Sequence, residues 1–191
     1  MAGHSADHGS FAASASDIDR TIEAGRIAVT DDLGALCAAG RIDVVVDATG
    51  SPEVGTFLAL EAIRNGKHIV MLNVEADITV GRLLARKGKE AGLVYTGSAG
   101  DEPASTLELI AFAQSLGMEI VAAGKGKNNP LRHSAIPEEY EEEARARNMN
   151  ARMLVEFIDG SKTMVEMTAI ANCTGLTPDV AGMHGPEATS A

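Results

Sequence analysis

The sequence predicts an α/β fold in which a parallel sheet with flanking helices is followed by a mainly helical segment. Two features of the first 123 residues predict the sheet. Short β-branched runs, such as residues 44–46, alternate with amphipathic stretches of ten or more residues. Connections of that length are crossover helices, and the strands that they join lie parallel. A third feature, a charged stretch with Gly and Pro after Ala123, marks the change to the helical segment.

The N-terminal region is predicted to become ordered near Ser16. The first fifteen residues, MAGHSADHGSFAASA, lack hydrophobic periodicity and are predicted to be mobile. Ser16 is a suitable cap for a helix that ends at Gly25, and residues 26–29 form a short extended segment. Asp31 or Asp32 then caps a helix that Gly40 ends.

The central elements are predicted from alternating apolar runs and helix boundaries. Ile42 and residues 44–46 predict a strand that is buried on both faces. A helix begins near Ser51-Pro52 and ends at Asn65-Gly66, because Pro is tolerated in the first turn and Gly favours a helix end. Further strands are predicted at 68–72, 93–96 and 118–122, and further helices at 76–91 and 104–116.

The segment after Ala123 is predicted to carry substrate chemistry. A polar loop and a charged helix precede residues 153–175, where two apolar stripes flank Asp159-Gly160. We favour a helix, turn and helix there, although Asp-Gly also fits a hairpin. The predicted organisation is a mobile stretch (1–15), the second part of a dinucleotide-binding domain (16–123), a substrate and catalytic segment (124–175) and a linker toward a further domain (176–191).

Composition excludes several classes of partner. The chain has 16 Lys and Arg against 27 Asp and Glu, and its net charge of −11 repels nucleic-acid phosphates and membrane surfaces. No long apolar run indicates a signal peptide or a membrane span, so a cytoplasmic location is predicted. The two cysteines lack C-x-x-C spacing and the five histidines are scattered, so we predict reduced thiols and no metal site.

Loops at the carboxyl ends of the predicted strands are the candidate ligand sites, as in other open parallel sheets. Ala48, Thr49 and Gly50 open a helix and suit the ribose or nicotinamide side of a cofactor, although a tight turn also explains the glycine. Asn73 and Glu75 follow the next strand, where they provide an amide donor and a carboxylate, or a helix cap.

The later loops suit a small polar substrate. Asp101 lines a pocket or caps the next helix. Lys125 and Lys127 alternate with glycines in an acidic protein, which suits a phosphate or carboxylate, or else forms a flexible basic loop. Lys162 and Glu166 are spaced i,i+4 if helical and fit a donor and an acceptor at a carbonyl, or a surface ion pair.

Several sequence blocks resemble a known family of oxidoreductases. VVVDATG and NGKHIV resemble the second half of the cofactor domain of homoserine dehydrogenases. GSAGDEPA, GKGKNNP, DGSKTMVEM and AIANCTGL are similar to a divergent branch that often carries a SAF domain, with a subgroup described as 1-deoxy-D-xylulose 5-phosphate reductoisomerase-like. The resemblance covers about residues 16–186. It implies NAD or NADP as cofactor and a small polar carbonyl or hydroxyl substrate, phosphorylated substrates included.

The resemblance also implies roles for particular residues. It assigns the cofactor to Ala48, Thr49, Gly50 and Asn73, the substrate to Asp101, Lys125, Lys127 and Asn128, and catalysis to Lys162, Glu166 and Glu75. Lys162 would polarise the carbonyl. Asn73 and Glu75 fall where homoserine dehydrogenases place an Asn-Lys pair, and the missing lysine counts against homoserine as the substrate.

The sequence departs from this family in one respect. No G-x-G-x-x-G precedes Asp43, so the chain is predicted to be an internal piece that lacks the first βαβ unit and a C-terminal domain. Such a piece would bind cofactor weakly or not at all, and a homo-oligomer is its expected assembly. The alternative is a non-catalytic domain that binds a small anion, or a partner subunit, through residues 124–129.

Overall fold

The computed structural model describes residues 9–127 and 130–185, and the chain divides into two compact units, Met1–Ser98 and Ala99–Ala191. The first unit therefore ends before the predicted boundary near residue 123. The helix after Ser98 packs against the last helix of the second unit, which places it and the loop after it in that unit.

The first unit contains two parallel sheets with helical connections. One sheet pairs β1 with β2, and the other has the order β3-β4-β5. The elements are β1 (Gly9–Phe11), α1 (Ala15–Glu23), β2 (Ile27–Val29), α2 (Leu33–Ala38), β3 (Val44–Asp47), α3 (Pro52–Arg64), β4 (His68–Met71), α4 (Val74–Glu90) and β5 (Tyr95–Gly97). The predicted α/β class is confirmed.

The N-terminal elements differ from the prediction. Residues 1–8 lie outside the described residues, but Gly9–Phe11 forms a strand and α1 begins at Ala15, with Ser14 rather than Ser16 as its cap. The elements β1, α1 and β2 form a βαβ unit that carries no glycine fingerprint, so the absence of a glycine-rich first unit stays a prediction. Two small apolar residues, Ala12 and Ala39, supply much of its core and gave no periodic signal in the sequence.

Strand β3 is covered on one face only within the first unit. Val45 and Asp47 are buried, whereas Val44 and Val46 are 48% and 58% exposed. The helices α3 and α4 pack against each other and share one core with β3 and β4, so both cover the same face of the sheet. The predicted burial on both faces is therefore not found within this unit.

A hydrogen bond joins the last strand of this sheet to α4. The Tyr95 hydroxyl donates to Asp77 Oδ1 at 2.8 Å. Burial raises the pKa of Tyr95 well above its ordinary value, and the charge of Asp77 adds to this effect. Tyr95 therefore stays neutral and remains a hydrogen-bond donor across the pH range in which the protein is folded.

The second unit is helical, as predicted. It contains α5 (Glu102–Ser115), a short 3-10 turn (Pro137–Glu139), α6 (Glu141–Ala146), α7 (Ala151–Asp159) and α8 (Ser161–Thr174). The helix, turn and helix reading of residues 153–175 is confirmed, because Gly160 joins α7 to α8 in a left-handed conformation with φ of 89°. The left-handed residue at a helix end is most often glycine, because glycine has no Cβ to disfavour a positive φ.

The predicted strand at 118–122 is wrong. The described backbone of this segment makes no strand ladder, and Met118 and Val121 are 58% and 86% exposed. Its short apolar run has the pattern of a buried strand, but a strand also needs a paired neighbour.

Gly55 should resist substitution by alanine. A Cβ at this buried position would lie closer than 3.0 Å to both Asp47 Oδ2 and Asn73 Nδ2. Ala usually stabilises a helix interior relative to Gly by about 0.5–1 kcal/mol, but overpacking costs about 1–3 kcal/mol. We expect Gly55→Ala to lower the free energy of unfolding measured in urea. Gly97→Ala, with no atom within 4 Å of the added Cβ, is the control; equal effects of the two changes would contradict the close approach.

Candidate functional site

A buried carboxylate organises the carboxyl ends of β3 and β4. Asp47, the last residue of β3, is 1% exposed. Its Oδ1 accepts hydrogen bonds from the Thr49 backbone N–H at 2.9 Å and from the Thr49 hydroxyl at 2.8 Å. Its Oδ2 accepts from Asn73 Nδ2 at 2.9 Å. One side chain thus connects two loops that follow neighbouring strands.

Asn73 extends this connection to two helices. Its Nδ2 also donates to the Ser51 carbonyl at 2.8 Å, beside the start of α3, and its Oδ1 accepts from the Ala76 N–H at 3.1 Å in the first turn of α4. Asn73 is 1% exposed. The helix-cap interpretation of Asn73 is therefore confirmed, and its side chain is committed to internal partners.

The other predicted cofactor residues form an exposed loop. Ala48, Thr49 and Gly50 lie between β3 and α3, and Gly50 has a φ of 68°, which favours glycine. Ser51 Oγ caps α3 by accepting from the Val54 N–H. An exposed loop at the positive end of a thirteen-residue helix suits the ribose or carboxamide of a nicotinamide cofactor. Glu75 lies half-buried in the first turn of α4, in the same unit.

A second cluster of charged side chains lies in the second unit. Lys125 Nζ donates to Glu102 Oε1 at 3.0 Å and makes a short hydrogen bond to Glu166 Oε2. Glu166 on α8 is 1% exposed, whereas Glu102 at the start of α5 is 51% exposed. Lys125 therefore connects a buried carboxylate to one that reaches solvent.

The electrostatics of this cluster follow from burial and pairing. Burial raises the pKa of Glu166, and this effect outweighs the lowering by Lys125. Burial alone would lower the pKa of Lys125, but its hydrogen bonds to Glu166 and Glu102 raise it overall. The hydrogen bond from Lys125 lowers the pKa of Glu102. Lys125 is thus held as a cation between two carboxyl groups.

Asp101 and Lys162 complete the cluster. Asp101 caps α5, as one predicted alternative had it, and its pKa is raised by burial and then by the neighbouring Glu102. The charge of Lys162, one turn before Glu166 on α8, acts on both Asp101 and Glu166. The predicted i,i+4 spacing on a helix is confirmed, and the pair lies in a cluster rather than in isolation on the surface.

Three carboxylates of the cluster lie close enough to be considered as cation ligands. Among the described residues, Asp101, Glu102 and Glu166 each offer an oxygen, and these oxygens lie within 4.8 Å of one another. The ammonium group of Lys125 already bonds two of the three. The ammonium group of Lys125 therefore already offsets part of the negative charge of these three side chains.

Another predicted substrate residue, Lys127, contacts the end of α7 rather than this cluster. Lys127 makes a short hydrogen bond to the Phe157 carbonyl, at the end of α7. The neighbouring Arg132 N–H and His133 ring bond the carbonyls of Ile158 and Asp159. This loop thus satisfies carbonyls at the C-terminus of α7. Asn128 lies outside the described residues.

Sequence reasoning missed the central roles of Asp47 and Glu102. Both were recognised only as members of loops. An Asp that ends one buried strand, followed by an Asn at the end of the next, is a usable signal for such a connection, because neighbouring parallel strands bring their carboxyl ends together. Glu102 gave no comparable signal, since its partner Lys125 is 23 residues away.

No helix among the described residues is long and apolar enough to span a membrane.

Comparison with known proteins assigns a different family domain to each part of the chain. Residues 9–95 match the model of the homoserine dehydrogenase NAD-binding domain. Residues 100–191 match the model of the catalytic domain of oxidoreductase DRL. The change from one match to the other falls at the boundary between the two structural units.

A curated relative supports the first match. Over 57 residues the chain is 42% identical to homoserine dehydrogenase from Methylobacillus glycogenes, a match covering 30% of this chain and 14% of that enzyme. The chain is thus similar to the NAD-binding domain of homoserine dehydrogenase in its Rossmann-like first unit and to the catalytic domain of oxidoreductase DRL in its second, and its match spans only a small part of the curated relative.

Removal of the Lys125 charge should destabilise the second unit. Lys125→Met leaves Glu166 buried without its cation, and loss of one partner of a buried ion pair costs roughly 3 kcal/mol or more. We expect a clearly lower urea midpoint at neutral pH. Lys127→Met is the matched control, because it removes an exposed contact at a helix end that is worth less than about 1 kcal/mol. Equal losses in the two variants would contradict the buried pair.

Glu166 and Glu102 should give pH dependences of opposite sign. The pKa of Glu166 is raised above its ordinary 4.5, so the folded state holds that proton more tightly. Wild-type stability relative to Glu166→Gln should therefore fall as pH rises through 4.5 and the raised pKa. The pKa of Glu102 is lowered, so wild-type stability relative to Glu102→Gln should be greatest above pH 4.5 and fall as pH drops.

Urea unfolding from pH 7 down to about pH 3, followed by circular dichroism, measures both differences, because the Glu102 effect develops below pH 4.5. Parallel curves for the two variants would contradict the opposite shifts.

Proposed function

We propose that the chain is an NAD(P)-dependent oxidoreductase that acts on a small polar carbonyl or hydroxyl substrate. One observation carries this proposal. A buried carboxylate, two lysines and two further acidic residues converge on α5 and α8, within the residues that match an oxidoreductase catalytic domain. The other unit presents loops at the carboxyl ends of parallel strands, within the residues that match an NAD-binding domain.

The cofactor is assigned to the first unit. Its residues fit a nicotinamide dinucleotide in one respect that the structure shows, namely an exposed loop at residues 48–50 beside the N-terminus of α3. When bound, the reduced cofactor supplies a hydride to a carbonyl carbon. Backbone N–H groups of this loop other than that of Thr49, which donates to Asp47, would orient the carboxamide or ribose, with Glu75 as a further polar group at the start of α4.

The group that donates the proton in the reaction is assigned to the second unit. Addition of hydride to a carbonyl carbon moves the π electrons to oxygen, and the resulting alkoxide needs one proton. We assign the polarisation of the carbonyl and the donation of that proton to Lys162, whose charge acts on Asp101 and Glu166. Glu166, held by Lys125, positions Lys162, and the neutral amine left after the transfer takes a proton back from water.

The cluster favours hydroxyl-bearing substrates over phosphorylated ones. Lys125 is bound to two carboxylates and Lys127 to a carbonyl at the end of α7, so a phosphate would have to displace internal partners. Asp101 and Glu102 can accept hydrogen bonds from substrate hydroxyls without any such displacement. The same contacts weigh against the anion-binding alternative for residues 124–129.

Membership of the SAF-bearing, reductoisomerase-like branch is part of the proposal. The match of residues 100–191 to the DRL catalytic domain supports it, because three of the four blocks that resemble that branch lie entirely there.

Lys162→Met should abolish turnover while cofactor binding persists. NADH and NADPH are first titrated by fluorescence against the wild-type chain. Oxidation of the cofactor is then followed by absorbance with three panels of substrates: neutral hydroxyaldehydes and hydroxyketones, amino aldehydes, and phosphorylated ketoses. Loss of a general acid should lower kcat about 100-fold or more, whereas the cofactor Kd should stay within error.

Lys127→Met is the control and should retain turnover, since Lys127 contacts only the end of α7 among its described hydrogen bonds. A wild-type chain that neither binds NADH or NADPH nor oxidises either with any panel would refute the proposed function. Full turnover by Lys162→Met would refute only the role of Lys162.

A further inference from the structure

We propose that Asp47 is a positioning residue for the nicotinamide cofactor, because it holds the loops after β3 and β4 in one conformation. The inference rests on the proposed function. Asp47 is buried and does not reach a ligand itself, so any effect on cofactor binding must pass through Thr49 and Asn73.

Each oxygen of the Asp47 carboxylate accepts at least one hydrogen bond from an uncharged donor. Three hydrogen bonds reach it, two from Thr49 and one from Asn73, all between 2.8 and 2.9 Å. Its backbone carbonyl accepts two more, from the N–H groups of Leu72 and Asn73. A buried carboxylate is costly unless it is satisfied in this way, so any conformation that releases one of these donors is disfavoured.

Asn73 transmits this constraint to both helix N-termini. Its amide joins Asp47 to the Ser51 carbonyl before α3 and to the Ala76 N–H in α4. Gly55 on α3 permits the approach, because a Cβ there would overlap both side chains of the pair. The loop of residues 48–50 is therefore held at one end by Asp47, at the other by the contact of Asn73 with the Ser51 carbonyl, and in its middle by the Thr49 hydroxyl.

A loop fixed in this way costs less to order when a cofactor binds. Preorganised contacts raise affinity by removing the entropy cost of ordering. The Thr49 hydroxyl donates to Asp47 and the Asn73 amide is committed to internal acceptors. Both residues thus serve the cofactor through the conformation of the loop rather than through their side chains.

Asp47→Asn tests this role. A carboxamide is isosteric but has one acceptor oxygen, so it cannot accept from both Thr49 and Asn73, and its own NH₂ would face the NH₂ of Asn73. Loss of one hydrogen bond to a charged group should raise the Kd of NADH and NADPH about tenfold. The Kd is measured by nicotinamide fluorescence on the full chain, with the Tm measured in parallel.

Asp19→Asn is the matched control. Asp19 also accepts two hydrogen bonds in the first unit, from the backbone N–H groups of Gly40 and Arg41 at 3.0 and 2.8 Å, but it contacts neither loop. It should lower the Tm and leave the cofactor Kd unchanged. The comparison separates positioning of the loops from general stability.

The exchanged pair Asp47→Asn with Asn73→Asp provides a rescue. The amide at position 47 can then donate to the carboxylate at position 73, which still accepts from the Ala76 N–H, while the donations from position 73 to the Ser51 carbonyl and to the Thr49 hydroxyl are lost. The Kd should return to within about threefold of wild type, since only neutral hydrogen bonds remain missing. If Asp47→Asn does not fold, Thr49→Val removes the contacts of the hydroxyl with Asp47 and Asn73 and should raise the Kd about threefold.

The outcomes distinguish the two proposals. A wild-type chain that binds neither cofactor contradicts the proposed function and with it this inference. A wild-type chain that binds, together with an unchanged Kd in Asp47→Asn or Thr49→Val, overturns this inference alone. A raised Kd that the exchanged pair does not restore would also overturn it, since the paired geometry would then not be the cause.

Discussion

The need to satisfy buried carboxylates governs both units of this chain. Asp47 and Glu166 are each 1% exposed, and a carboxylate removed from water is tolerated only with donors in place. In each unit one of those donors comes from a distant part of the sequence, Asn73 for Asp47 and Lys125 for Glu166, so the carboxylate joins elements that are far apart in the chain. The loops that carry the candidate chemistry are the segments brought together in this way.

The two carboxylates are satisfied by different chemistry. Asp47 has neutral donors only among its described hydrogen bonds, from Thr49 and Asn73, which define direction and distance but carry no charge. Glu166 has the ammonium group of Lys125, and its raised pKa shows that burial still exceeds this compensation. The first arrangement suits a rigid platform for a cofactor, whereas the second keeps a carboxyl group whose proton can move, as acid and base catalysis requires.

The fold followed from local patterns, but the sites did not. The apolar periodicities predicted most of the helices and strands of the first unit, and Gly160 correctly marked the turn between α7 and α8. The lysines at 125 and 127 looked like an anion site because the sequence shows their charge but not their partners. Lys125 meets Glu166 across 41 residues and Lys127 meets Phe157 across 30. Contacts at such separations depend on the packing of helices, which no local pattern encodes.

The same limit explains the error at residues 118–122. A short run of apolar, β-branched residues indicates that a segment can form a strand, because it is a property of the chain itself. A strand, however, also needs a neighbour whose N–H and C=O groups are available, and that is a property of the fold. Gly9–Phe11 shows the converse, because it has almost no apolar signal and still pairs with β2. Periodicity therefore predicts where an element can form, and the satisfaction of backbone and buried polar groups decides where it does form.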